Sequence, residues 1–208
     1  MLKQKFILAI FVALSIIAKA QDIQTERISE FKAGLIAGIS TSQISGDNLA
    51  GFRKFGMNVG VFSRYTFSQK YSAQFEVTFI QKGSRKTPDP ENNDYTFYRL
   101  NLNYIEIPVL IKYKHKHFVF EAGPYASYLI NFQEENEQGS LPMIRPFYKY
   151  DLGGAIGINY DFTEHLQMNW RYTNSWFPVR PHLSNANFRW NRGQLNSVIE
   201  FTLHYEFN

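Results

Sequence analysis

The chain has 208 residues, no cysteine and a formal charge of +4. That is one domain's worth of sequence, and the missing thiol excludes a disulfide-stapled scaffold, a thiolate metal site and a lipid-anchored N-terminus. Charge makes no case for nucleic acid: Lys3, Lys5 and Lys19 lie in the first twenty residues, leaving 19 basic against 18 acidic side chains in the remainder.

Lys3 and Lys5 precede an apolar run from Phe6 to Ile17, and Ala18-Lys19-Ala20 gives a small-x-small pattern before Gln21. Residues 1–20 therefore read as a secretory signal peptide, with an apolar run too short to span a bilayer. Gln21 to Glu30 is polar and reads as a short periplasmic lead-in, and 31–208 as a single domain. Mean hydropathy is negative, yet 17% of residues are aromatic. A transmembrane barrel reconciles the two, because only every second residue of its strands faces lipid.

Eight alternating segments follow in chain order. Phe31, Ala33, Leu35, Ala37 and Ile39 oppose Lys32, Gly34, Gly38 and Ser40 in the first. Phe55 to Phe67 and Tyr71 to Phe79 alternate in the same way. The fourth segment runs from about Thr96 to Tyr113 and contains YIEIPVLIKY, Tyr104 to Tyr113. Leu100, Leu102 and Tyr104 are apolar in one phase, while Ile105, Ile107, Val109 and Ile111 are apolar in the other. That slip predicts a β-bulge near Tyr104–Ile105, and Pro108, which cannot donate to a ladder, suits a strand whose pairing is locally broken. Phe118 to Ile130, Leu152 to Phe162, Leu166 to Thr173 and Ile199 to Phe207 complete the set. Helical spacing fits none of them as well.

The connections alternate in length. Tight turns are expected at Ser68–Lys70, Lys114–His117 and Thr163–His165, and long loops at Gly46–Lys54, Ser84–Tyr95, Asn131–Phe147 and Trp176–Gln194. Short turns at one end, long loops at the other and an even strand count predict an all-β, eight-stranded antiparallel up-and-down transmembrane β-barrel. Glycines and charges of both signs on the polar faces suit a crowded lumen. Aromatics bracketing the tight turns suit an interfacial girdle, so the apolar faces are expected to meet lipid.

KAGLIAGISTSQISG in the first strand, FIQKG ending the third, YIEIPVLIKY and the leader together resemble the PorT-like outer-membrane β-barrel family. The resemblance implies an eight-stranded barrel in a Gram-negative outer membrane, and offers no catalytic motif to transfer. With it come outer-membrane lipid and lipopolysaccharide as surroundings, the barrel-assembly machinery during biogenesis, and an envelope protein as a possible partner. No cofactor is expected.

An eight-stranded interior is just wide enough for side chains to fill, so the inward charges are expected to form a salt-bridged plug rather than an ion path. The third long loop carries Glu134, Glu135 and Glu137 and reads as solvated surface. The fourth sets Trp176 and Trp190 beside Arg180, Arg189 and Arg192 with no acid of its own, a composition suited to glycan or lipid-headgroup contact. It also holds His182 and Ser184, which share a face of an extended segment and could form a nucleophile–base pair. Three functions compete: a non-enzymatic barrel whose external loops bind a partner or surface glycan or which serves membrane integrity, a rim hydrolase of lipid using His182 and Ser184, and a small pore.

Overall fold

The computed structural model of the chain describes residues 30–46, 49, 51–141, 146–181 and 193–207. The leader, the lead-in up to Ser29, and His182, Ser184, Arg189, Trp190 and Arg192 lie outside the described residues.

Among the described residues nine strands follow one another: β1 Glu30–Ser45, β2 Lys54–Thr66, β3 Tyr71–Lys86, β4 Tyr98–His115, β5 Phe118–Asn136, β6 Gly139–Ser140, β7 Tyr150–Asp161, β8 Leu166–Ser175 and β9 Leu195–Glu206. Eight of them form an antiparallel ring in which each pairs with its neighbours in sequence, while β6 is a two-residue flap folded back on the end of β5. The ring closes where β9 pairs with β1, from Gly34 opposite Glu206 to Ser45 opposite Leu195. Closure leaves no sheet edge across the hydrocarbon layer, where an unpaired peptide group costs several kcal/mol, roughly.

Alternation sorts the side chains as their chemistry requires. Ile156 on the outer face is 62% exposed, whereas Glu200 on the inner face is 1% exposed. Rings gather around the short-turn end: Tyr71 lies 5.2 Å from Tyr113, Phe118 5.3 Å from Tyr160, Tyr160 5.2 Å from Phe162 and Tyr205 6.1 Å from Phe207. This girdle marks one membrane–water boundary. Inner-face glycines make room for large partners. A Cβ on Gly34 would sit 2.6 Å from the Phe62 ring, and one on Gly153 would sit 2.5 Å from that of Tyr125.

The fourth strand departs from its sequence reading. β4 keeps one phase throughout, with Leu100, Leu102, Tyr104, Glu106, Leu110 and Lys112 all buried. What changes at Tyr104 is the chemistry of the lumen, not the direction of the side chains. The register does shift there, but the extra residue is Ile130 of β5: Asn103 faces Asn131 and Tyr104 faces Leu129. Pro108 does interrupt pairing, since the ladder to β3 passes from Thr78–Glu106 straight to Phe75–Val109. Beyond the bulge β5 alternates in the opposite phase from Asn131 to Glu134, and the strand runs on to Asn136, six residues past its expected end at Ile130. Gly83, which ends FIQKG, has φ +145° and a Cβ position only 2.0 Å from the Leu100 carbonyl oxygen, so no other residue fits there.

Candidate functional site

Any site must be built from the lumen or the rims, and the lumen is filled by two different kinds of material. Nearer the short turns it holds a charged network contributed by strands alone. Arg171 of β8 is at its centre: its Nη groups donate to both Glu76 oxygens at 2.8 and 2.7 Å, and its Nε to Glu121 at 2.6 Å. The Lys112 ammonium pairs with the other Glu121 oxygen at 3.1 Å, and Asn159 and Asn169 donate to Glu121 at 2.9 and 2.8 Å. Glu200 accepts from Asn58 at 2.9 Å and lies 3.7 Å from Arg171. A fork of planar donors meeting two carboxylates crosses the barrel and fixes both.

A second cluster lies above. Lys82 pairs with Glu106 at 2.5 Å and Asp151 at 3.4 Å, beneath the rings of Tyr104 and Tyr125 at 5.1 and 4.6 Å. Ser127 donates to Glu106 at 2.6 Å, and Asn196 to Asp151 at 2.9 Å.

Toward the long loops the filling turns apolar. Ile44, Ile80, Leu100, Leu102, Tyr104, Leu129 and Val198 from the strands pack with Phe147 and Val179 from two loops. This cap escapes the sequence reading because lipid-facing and cap residues are equally apolar. Its signal was present in β4, where Leu100 and Leu102 share the parity of Glu106 and Lys112. At the opposite end the lumen opens into a vestibule of about 690 Å³ among the short turns, lined by Phe62, Arg64, Lys114, Asp161, His204 and Glu206.

The outer rim corrects one expectation. Arg180 is not an unopposed cation. It is 6% exposed, donates to both oxygens of Glu134 at 3.1 and 3.0 Å, and stacks 4.5 Å over the Phe147 ring. The acid comes from β5, so it is invisible within the Trp176–Gln194 stretch, and Glu134 is correspondingly no solvated surface group: Tyr98 also donates to it at 2.7 Å. Trp176 is 62% exposed on the outer wall, its backbone N–H bonded to the Leu152 carbonyl at 2.8 Å. Its ring lies over Gly154, where a Cβ would meet it at 3.1 Å. Lys86, the last residue of β3, pairs with Asp94 of the β3–β4 loop at 2.7 Å. That hydrogen bond, with two more from Thr96, holds the Asp94 carboxyl well below the usual range.

A closed ring with lipid-facing apolar strands, an aromatic girdle and a charge-paired interior defines an integral outer-membrane β-barrel. The model of the outer membrane protein beta-barrel domain family matches residues 19–178, and the chain belongs to that family. Two solved structures share the fold. Neisserial surface protein A is 12% identical at a TM-score of 0.52, over 85% of this chain and 97% of its own. Ail, the attachment invasion locus protein of Yersinia pestis, is 11% identical at 0.51, over 86% of this chain and 99% of its own. No curated protein matches.

Proposed function

We propose that this chain is a PorT-like, non-enzymatic and non-conducting outer-membrane barrel. It is exported by its N-terminal leader, serves membrane integrity, and presents its outer rim to envelope glycan or a protein partner. The observation that carries the reading is the filled lumen. Arg171 ties Glu76 to Glu121 across the barrel, and the Leu100–Leu102–Val179 cluster packs the cross-section above it. An ion entering from the vestibule meets paired charges first and an apolar layer next, and moving a charge through such a layer is costly.

Planar bilayers test this directly. Purified full-length protein, shown to be folded by a heat-dependent shift on gels, is expected to give no steady conductance. Reproducible open channels would put the pore reading in its place.

A further inference from the structure

The outer surface of β2–β5 carries rows of side chains at successive heights, fixed by the strand register. Val59, Phe79 and Ile105 form an apolar row. Next come Gln81, Asn103 and Asn131, joined side by side: Gln81 donates to Asn103 at 3.1 Å, and Asn103 to Asn131 at 2.5 Å. The row above holds Gly83, Asn101 and Gln133. Arg85, Arg99 and Glu135 follow, with Arg85 directly opposite Arg99. On β2 the paired ladder ends at Asn58–Ile80, beyond which Met57 donates its N–H to Gln81 Oε1 at 3.3 Å; Ser42 Oγ bonds to the carbonyls of both Lys54 and Gly83, which keeps the start of β2, with exposed Arg53 just before it, near this end of β3.

Two arginines directly opposite each other on one sheet face repel, and that arrangement destabilises a sheet unless an anion lies between them. Among the described residues none supplies it. Arg53, Arg85 and Arg99 are exposed and form no ion pair, Glu135 opposite Arg99 included, and Asp94 is taken by Lys86. Height identifies the missing anion. Four residues along a strand tilted by about 40° lift Arg85 and Arg99 roughly 10 Å above the amide row, where the outward side chains of β3 and β4 turn from apolar to polar. Headgroups and their sugars replace hydrocarbon at that level.

We propose that Arg53, Arg85 and Arg99, with the amide rows beneath them, form a binding site for a phosphorylated glycolipid headgroup of the outer leaflet. Guanidinium groups take the phosphate in fork geometry, and Asn101, Asn103 and Gln133 meet sugar hydroxyls. The site is distinct from the Trp176 rim, and rests on the outer-membrane placement, not on the closed lumen. A conductance result that overturned the closed lumen would leave it standing.

The test uses the full chain folded in detergent, with retained lipid counted by native mass spectrometry and affinity taken from titration. The probes are bis-phosphorylated lipid A, the same lipid with both phosphates removed, and inorganic phosphate. Wild type is expected to retain the phosphorylated lipid and not the dephosphorylated one, and inorganic phosphate at equal concentration is expected not to displace it. Each surface cation contributes about a factor of five, so R85Q/R99Q is expected to bind roughly 25-fold more weakly. Without lipid, the same variant is expected to unfold at the same temperature as wild type or a higher one, because a repulsion has gone; a purely structural pair would not behave so. Should the double variant fail to fold, R99Q carries the test with about a fivefold loss. Unchanged lipid affinity in the folded variants, or equal retention of dephosphorylated lipid, overturns the site. Displacement by equimolar inorganic phosphate overturns the headgroup in favour of a free anion.

Discussion

The two halves of the lumen occupy the same kind of space by opposite means. Below, every member of the Arg171 network is held by directional bonds, and all of it comes from strands. Above, Leu100, Leu102 and Val198 are packed without direction, and two loop residues, Phe147 and Val179, complete the cluster. A charge network must be geometrically complete or it is worse than an apolar core, which suits rigid strands whose register sets every distance. Apolar packing tolerates approximate placement, and so can anchor loops that the sheet does not hold. Rigid wall and tethered rim thus call for different fillings.

The largest expected effect tests the lower half. Arg171→Met removes the cation shared by Glu76 and Glu121 and leaves buried carboxylates with too little counter-charge. The expected cost is about 3–5 kcal/mol of folding stability, read by urea titration in detergent or vesicles. A loss below about 1 kcal/mol would mean that water already bathes this half, and the contrast between the halves would fail.

The upper half answers to size, not charge. Leu102→Ala is expected to cost about 3 kcal/mol through lost burial and a residual cavity, while Leu102→Met, which keeps volume, should cost less than about 1.5 kcal/mol. Equal costs would show that this layer is not close-packed. On the outer wall, Phe201 packs 5.6 Å from Trp170 and faces lipid. Phe201→Arg is expected to lose about 2–4 kcal/mol near mid-membrane, whereas an arginine at the neighbouring lumen position Thr202 is opposed by overpacking, not by lipid. Bilayers of different thickness separate the two, because only the first should respond.

Much of this was legible in the sequence. Period-two alternation with loops of alternating length determines the ring, and glycines beside paired charges announce a packed interior. The apolar cap was not legible, because periodicity reports that two residues share a face without saying whether the face is lipid or lumen. Leu100 and Leu102 were thereby misread as a change of phase. The bulge belongs to β5, where Ile130 and Asn131 look like the end of a strand. Arg180 was misjudged for another reason: its partner Glu134 is 46 residues away, and no local window connects them.

Arg180 also supplies the smallest expected effect, and it sharpens the account of the rim. Its ion pair with Glu134 joins the segment after β8 to the top of β5, and its stacking on Phe147 draws in the loop before β7. The two side chains are only 8% and 15% exposed, so solvent screens the pair less than an ordinary surface pair but more than the Arg171 network. A double-mutant cycle of Arg180→Ala and Glu134→Ala is therefore expected to give a coupling of roughly 1–2 kcal/mol, between the surface and buried regimes. If Arg180 pins the rim, Arg180→Ala should speed hydrogen exchange at Phe147–Tyr148 and Val179 while leaving exchange in the Arg171 layer unchanged. Glycan binding by the outer surface should persist in that variant. Loss of glycan binding with unaltered exchange at Val179 would instead make Arg180 a contact residue, and the pin would have to be given up.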